Sequence, residues 1–266
     1  MFARALRICF YLAQLLLLVA YFGYWGADRF EVKHAELPAD TLKGAGPLKI
    51  AYFSDLHNRR DHFETVVEEI EKAKPDLIIF GGDLIFALER LTRTRQLVQG
   101  FRRMSAVAPV YAMLGNQDYE MLPQVERIFA TAGVTLLRNQ AADWTAPNGT
   151  VIRLVGLGDW TEGDENPAAC LSEGDREEKP VLLLSHDPES RHELGNYDWD
   201  LMLSGHTHGG QLGIPFTDRY LCFRSDMPCG LYPYERDRRI YVSKGIGGSM
   251  GMRFFCTPEL VILEQK

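Results

Sequence analysis

The residues of this 266-residue chain whose types and spacing point to chemistry fall in five short polar clusters. They are Ser54-Asp55-Leu56-His57, Gly81-Gly82-Asp83, Gly115-Asn116-Gln117-Asp118, Ser185-His186-Asp187-Pro188 and Ser204-Gly205-His206-Thr207-His208-Gly209-Gly210-Gln211. Taken singly, each is ordinary. An Asp-x-His pair is commonly a turn with a solvated histidine, and Gly-Gly-Asp is commonly just a turn. Together they are not ordinary, because four of only seven histidines lie in them. His57, His186, His206 and His208, with Asp55, Asp83 and Asn116, make a set of nitrogen and oxygen ligands without a thiolate. So many converging ligands exceed the needs of one ion. They suit two ions about 3.5–4 Å apart that share a bridging carboxylate. Mixed imidazole, carboxylate and amide ligation fits Mn²⁺ first, then Fe or Zn²⁺, rather than Ca²⁺ or Cu(I). His34, His62 and His192 lie outside the clusters and read as surface residues.

Each cluster follows an apolar run, so the elements between them must bring the run ends together. Leu48–Phe53, Leu77–Phe80 and Val110–Leu114 read as short buried strands. Helical periodicity falls between and after them, over Phe63–Lys74, Leu91–Val107 and Leu122–Ala132. This alternation predicts a mostly parallel sheet covered by helices, with ligands at the carboxyl ends of its strands. Beyond residue 140 the texture changes. Asn148-Gly149 between two strand-like runs is a hairpin signal. Val181–Leu184, Leu201–Leu203, Ile240–Val242 and Leu260–Leu263 add further short strands. The expected fold class is α/β, a two-sheet sandwich flanked by helices.

The first 27 residues are different material. Ile8–Ala27 carries no formal charge, Arg4 and Arg7 precede it, and Tyr21, Tyr24 and Trp25 gather at its far end. About 20 apolar residues match the bilayer core, and aromatic residues favour its interface. A cleaved signal peptide is the rival. Its small-x-small site has only Trp25-Gly26-Ala27 as a candidate, with a bulky Trp in the wrong place. The expected organisation is an uncleaved anchor over 1–27, a Pro/Gly-containing linker over 28–47 and a catalytic domain over 48–266. The expected location is the cytoplasmic (inner) membrane of a bacterium. Lys and Arg flank both ends of the span, so the side on which the domain lies stays open.

Composition excludes other classes. The net charge is −7, from 29 Lys+Arg against 36 Asp+Glu, so counterion release offers no route to nucleic-acid binding. Five cysteines without a CxxC pair argue against a disulfide scaffold and a thiolate zinc site. Cys222 and Cys229 are the one pair close enough to bridge, and they read as unpaired thiols. Gly245-Ile-Gly-Gly-Ser-Met-Gly251 has the wrong spacing for a dinucleotide fingerprint. No protein partner is implied.

Asp-x-His, Gly-Asp, Gly-Asn-x-Asp, Ser-His and Gly-His-x-His, in this order from Leu48 onward, resemble the calcineurin-like metallophosphoesterase superfamily. The longer forms Gly205-His-Thr-His-Gly-Gly-Gln211 and Phe254-Phe-Cys-Thr-Pro-Glu259 resemble its bacterial branch of small phosphodiesterases with an N-terminal signal or membrane segment. The resemblance implies the double-sheet sandwich fold and in-line hydrolysis at phosphorus assisted by two divalent ions. It implies that Asp55, His57 and His208 hold one ion, that Asn116, His186 and His206 hold the other, and that Asp83 bridges them. Asp55, Asp83, Asn116 and Gln117 are thus the expected catalytic set.

One position departs from the pattern. The family usually has His after the Asn, where it is thought to protonate the leaving oxygen; here Gln117 stands there, and an amide is no general acid. A related branch that hydrolyses UDP-2,3-diacylglucosamine in lipid A synthesis also lacks that His and has Arg instead. Arg59, Arg60 and Gln117 are candidate substrate contacts, the two arginines as a phosphate clamp or equally as a solvated pair. Ile214–Tyr234, rich in aromatics and proline, reads as a lid, an acyl-chain surface or a packed loop. The expected activity is hydrolysis of a phosphodiester or pyrophosphate bond in a membrane lipid or lipid-linked nucleotide. The alternatives are a specific UDP-2,3-diacylglucosamine pyrophosphatase giving lipid X and UMP, and a catalytically silent metal-binding protein.

Overall fold

The computed structural model of the chain describes residues 2–57, 59–86, 94–172, 179–217, 219–248 and 251–266. Its first half runs α1 (Phe2–Asp28), β1 (Glu31–Leu37), β2 (Leu48–Phe53), α2 (Arg60–Ala73), β3 (Leu77–Phe80), α3 (Thr94–Val107), β4 (Val110–Ala112), α4 (Leu122–Ala132) and β5 (Thr135–Leu136). The second half is β6 (Gln140–Thr145), β7 (Val151–Gly156), β8 (Val181–Leu184), β9 (Leu201–Ser204), β10 (Leu212–Gly213), β11 (Tyr220–Leu221), β12 (Gly230–Tyr234), β13 (Arg238–Val242) and β14 (Glu259–Gln265).

Two six-stranded sheets result, ordered β1-β14-β2-β3-β4-β5 and β12-β13-β9-β8-β7-β6. Strands β2 to β5 are mutually parallel, as are β7, β8, β9 and β13. Parallel strands buried on both faces need continuous apolar runs, and Leu77–Phe80 and Val181–Leu184 are buried at every residue. Within β2, Ile50 and Tyr52 point to the layer between the sheets, against Leu182, Leu203 and Tyr241. Ala51 and Phe53 point the other way, to the layer under α2, α3 and α4. Phe101 of α3 is the hub there, ringed by Phe53, Phe63, Phe80 and Phe129 at centroid distances of 5.3–6.3 Å. The outer face of the second sheet is closed by loop residues around the fully buried Trp199. The expected two-sheet sandwich flanked by helices is the architecture present.

Element ends follow local chemistry. Pro123 opens α4, and Gly133, at φ 78°, caps it by returning its N–H to Ala130 and Phe129 carbonyls. The second predicted helix begins at Thr94 among the described residues; residues 91–93 lie outside them. The Asn148-Gly149 hairpin joins β6 and β7 through a five-residue loop, residues 146–150, with Gly149 at φ 91°.

Two readings need correction. Residues 28–47 are not a free linker. Glu31–Leu37 pairs in parallel with β14, from Glu31 opposite Glu259 to Leu37 opposite Gln265. Leu42 and Ala45 are fully buried, and the Gln265 side chain clamps the Leu42 backbone at 2.8 and 3.0 Å. An edge strand keeps one side in water and so tolerates the polar Glu-Val-Lys-His-Ala-Glu run. His62 is likewise not a surface residue. The turn leaving α1 covers it, with Phe30 5.9 Å from its ring and the Asp28 carbonyl 3.3 Å from Nε2.

α1 is long and apolar enough over Leu6–Asp28 to cross a membrane. Its last turns touch the rest of the fold. Arg253 donates its N–H to the Gly23 carbonyl at 2.9 Å. A Cβ at Gly26 would sit 2.0 Å from the Arg253 carbonyl oxygen, and one at Gly23 2.5 Å from the Phe254 ring. Only glycine admits that approach.

Candidate metal centre and active site

The strands that carry the polar clusters end at one edge. Asp55 and His57 follow β2, Asp83 follows β3 and Asn116 follows β4 in the first sheet. His186 follows β8, and His206 and His208 follow β9 in the second. Five of these seven residues have left-handed backbones: Asp55 (φ 54°), His57 (45°), Asp83 (57°), His206 (65°) and His208 (52°). Non-glycine residues rarely adopt that region, and it concentrates where a site demands a side-chain direction.

The side chains converge. Asp83 Oδ2 lies 3.5 Å from His57 Nε2 and 3.4 Å from His186 Nε2. Asp55 Oδ1 lies 3.9, 3.8 and 3.8 Å from Nε2 of His57, His186 and His208. His57 and His208 bring their Nε2 atoms to 3.2 Å. Ligand atoms of Asp55, His57 and His208 lie within 4.8 Å of one another, and so do those of Asp55, Asp83 and His186. Asn116 Oδ1 and His206 Nδ1 are 3.1 Å apart on the side of His186, whose ring is 5.3 Å from that of His206. Both carboxylates therefore sit between the two groups of histidines, and Asp55 takes part in both groups.

Hydrogen bonds set which nitrogen each ring presents. His57 Nδ1 faces the Ile85 carbonyl at 3.2 Å, and His186 Nδ1 faces the Gly81 carbonyl at 2.7 Å. A ring that donates Nδ1–H to a carbonyl presents the Nε2 lone pair inward, the usual support of a metal-bound histidine. His186 Nε2 is buried and has no hydrogen-bond partner. A buried, oriented and unpaired nitrogen beside two carboxylates is a donor set that fits a divalent cation. Asp187 Oδ2 lies 3.5 Å from His206 Nε2 and aims that ring in turn.

Charge differs from ring to ring. Burial opposes ionisation of Asp83, but His186, His57 and the Gln117 N–H outweigh it and hold the carboxyl at about 2. Burial also opposes a charge on His186, yet Asp83, Asp55 and Asp159 raise its pKa well above the usual imidazole range. His208 moves the other way, well below that range, through burial and then the neighbouring His57 and Arg253. It is held neutral, the form that binds metal.

Several supporting residues escaped the sequence reading. Asp118 is fully buried and accepts N–H bonds from Asp83 (2.9 Å), Leu84 (2.8 Å) and Gly115 (3.0 Å). Burial and the Asp83 charge push its carboxyl up to about 7, against the N–H bonds of Gly115 and Leu84. It ties the Asp83 loop to the Asn116 loop. The packing leaves no room at Gly115, where a Cβ would fall 2.2 Å from Asp83 Oδ1. The residue stands inside the Gly115–Asp118 cluster, so its position was a signal. Residues 245–248 follow β13 as a loop; Ile246 and Gly247 donate N–H to the Ser54 and Asp55 carbonyls at 2.9 and 2.6 Å. Arg253, also fully buried, holds that loop through the Lys244 carbonyl at 2.6 Å and the Gly247 carbonyl at 3.1 Å from Nε. A lone Arg carries no sequence signal for such a role.

Asp118→Asn is expected to lower the melting temperature by about 5–10 °C. The amide turns one acceptor into a donor facing buried N–H groups, at about 1–3 kcal/mol for each group left unpaired. Calorimetry on the full chain measures this, and an unchanged melting temperature would show that the two loops are held by other contacts.

The remaining candidates are placed as follows. Gln117 is half-buried, and its backbone N–H donates to Asp83 Oδ1 at 2.9 Å. Arg59 is engaged elsewhere, by Asp61 at 3.0 and 3.2 Å and by Asp28 at 3.5 Å. As placed, it secures the end of α1 rather than offering a free cation. The side chain of Arg60 lies outside the described residues. A cavity of about 270 Å³ opens beside His206 and His208, walled by Gln211, Cys222, Phe223 and Arg224. Cys222 and Cys229 are free thiols.

Known proteins are similar in sequence. Residues 48–210, more than half of the chain, match the family described as calcineurin-like phosphoesterase. Phosphodiesterase YaeI of Escherichia coli is 33% identical over 231 residues, 83% of each chain. The uncharacterized metallophosphoesterase YkuE of Bacillus subtilis is 29% identical over 261 residues, 92% of this chain and 90% of that one. UDP-2,3-diacylglucosamine pyrophosphatase LpxG of Chlamydia trachomatis is 26% identical over 274 residues, 81% of this chain and 83% of that one. The matched segment holds every residue of the converging set, and on that ground the chain belongs to the calcineurin-like phosphoesterase family.

Proposed function

We propose that the chain is a membrane-anchored, two-metal phosphoesterase that hydrolyses a phosphodiester or pyrophosphate bond of a lipid or lipid-linked nucleotide. The observation that carries the reading is the position of Asp83 Oδ2, equidistant within 0.1 Å from a histidine of each group, at 3.5 and 3.4 Å. The site residues would be those the family pattern implies. Asp55, His57 and His208 would hold one ion, Asn116, His186 and His206 the other, and Asp83 would serve both. When bound, such ions lower the pKa of water and neutralise phosphoryl oxygens. The protein's own part is positional. The Ile85 and Gly81 carbonyls lock the His57 and His186 rings, Asp187 aims His206, and Asp118 holds the Asp83 and Asn116 loops in register. Gln117, at the rim, offers an amide N–H to a phosphoryl oxygen. Arg224 is exposed on the cavity wall beside His206 and His208, where an anionic substrate group would lie. Mn²⁺ is the preferred metal on ligand type, with Fe and Zn²⁺ next.

Membrane anchoring is supported by the length and apolarity of Leu6–Asp28 and by Tyr21, Tyr24 and Trp25 near its end. A lipid-linked substrate follows from that confinement. A second reading, a pyrophosphatase of UDP-2,3-diacylglucosamine, is favoured by Gln117 in place of a proton donor and by the named activity of the Chlamydia relative.

The full chain is expected to sediment with membranes, to bind two Mn²⁺ per polypeptide and to turn over bis-aryl phosphodiesters only when metal-loaded. Two bound ions without turnover of an aryl phosphodiester, a phospholipid or a nucleotide-diacylglucosamine would overturn the enzymatic reading in favour of a binding protein. UMP release from the nucleotide substrate alone would select the second reading.

A further inference from the structure

Beside the cavity, the fold leaves aromatic side chains in water. Phe216 is 103% exposed and Phe223 95%, more than any other large apolar side chain among the described residues, including those of α1. Phe255 is 65% exposed. A single exposed apolar residue needs no explanation, but clustered ones mark an interaction surface. These are clustered by connectivity. Phe216 is in the loop of the β10–β11 hairpin, between Leu212–Gly213 and Tyr220–Leu221. Phe223 lies two residues beyond that hairpin and lines the cavity with His206 and His208. Phe255 is laid along the same hairpin: Gly213 donates its N–H to the Phe254 carbonyl at 2.7 Å, and Leu212 bridges Phe254 in parallel. Leu212, Ile214 and Leu221 are themselves partly exposed. The backbone at Phe216 and Phe255 is left-handed, φ 62° and 50°, a conformation that bulky side chains rarely hold. Arg219 and Arg224 stand exposed on the same stretch.

The occupant is indicated by α1. Gly23 and Gly26, in its last turns, pack against Phe254 and Arg253, the residues adjoining Phe255. A 23-residue helix spans the hydrocarbon core with its last turn at the interface. Whatever is bonded to Gly23 and Gly26 is therefore held at headgroup depth. Aromatic rings beside arginines are the side chains that favour that depth.

We infer that Phe216, Phe223 and Phe255 form a membrane-interface surface, seated in the headgroup layer beside α1 and turning the mouth of the candidate metal centre toward the bilayer. This rests on the reading of α1 as a membrane span. The occupant is the lipid surface, and its headgroups become the phosphoryl groups nearest the site.

The test uses the full chain reconstituted in phosphatidylethanolamine–phosphatidylglycerol nanodiscs carrying brominated acyl chains. Trp25 reports the end of α1 through the quenching lost in Trp25→Phe, and Phe216→Trp reports the surface through the quenching it adds. Both signals are expected. Quenching at Trp25 with none added by Phe216→Trp would overturn the surface while leaving the anchor intact. Neither signal would remove the membrane span and the proposal with it. A second arm uses Phe216→Asn and Phe255→Asn, because Asn accepts the left-handed backbone and keeps the fold unstrained. Hydrolysis of a bilayer-resident phosphodiester is expected to fall about ten-fold or more, with a water-soluble aryl phosphodiester changed less than about two-fold. Equal losses on both substrates, or a dimer of the wild-type chain that the Asn variants dissociate, would identify the surface as structural or self-associating and overturn the proposal.

Discussion

Asp83→Asn is expected to reduce turnover by at least about 10³-fold, roughly 4 kcal/mol of barrier. It should also cost the protein one or both bound ions. The reason lies in the two ends of one carboxylate. Oδ1 accepts the Gln117 N–H at 2.9 Å, and Oδ2 faces His57 and His186 at 3.5 and 3.4 Å. Asparagine keeps the shape but removes the negative charge and turns one end into a donor. If the NH₂ faces Gln117, two donors meet in a buried loop. If it faces the histidines, it points a positive edge at the position of a cation. Either arrangement damages both groups of ligands. His57→Ala or His208→Ala removes a ligand from one group and is expected to cost less, with the other ion retained. Metal content by mass spectrometry of purified variants, beside turnover of an aryl phosphodiester, checks both halves. Two ions and near-normal turnover in Asp83→Asn would show that Asp55, which also lies between both groups, is the bridge.

Gln117→His is expected to raise hydrolysis of alkyl phosphodiesters by about 10²-fold or more, while aryl esters and pyrophosphates change little. An alkoxide leaves poorly because its parent alcohol is a very weak acid, so its departure needs a proton in the transition state. A phenolate or a phosphate carries negative charge stably and leaves without one. General acid help is worth about 10²–10⁴-fold. Gln117 is half-buried, with its backbone N–H tied to Asp83 Oδ1, so an imidazole there would start from a loop position fixed beside that carboxylate. The measurement compares an alkyl phosphodiester, an aryl phosphodiester and a nucleotide-sugar pyrophosphate in both proteins. Equal wild-type rates on all three, with no gain from His, would remove leaving-group chemistry as the meaning of this position.

The sequence by itself determined the elements whose environment is uniform and the residues whose chemistry is local. Leu77–Phe80 and Val181–Leu184 are strands with the predicted bounds, because a strand buried on both faces must be apolar at every position, and Leu48–Phe53 is another in which Lys49 alone is partly exposed. Leu122–Ala132 is likewise the predicted helix, bounded by Pro123 and Gly133. The polar clusters were visible because each lies at or just beyond the end of a strand, where the backbone leaves the sheet. What only the tertiary structure decided depends on partners far away in the chain. Glu31–Leu37 is a strand because β14 lies beside it, more than 220 residues later, and nothing in its own polar pattern requires one. His62 is buried because the end of α1 crosses it, and Arg59 is engaged for the same reason. Asp118, Asp187 and Arg253 matter through what they hold, and a hydrogen-bond partner across the fold leaves no periodicity to read. Asp55 joins both groups of histidines because two sheets bring their strand ends to one edge, and spacing along the chain encodes no such distance.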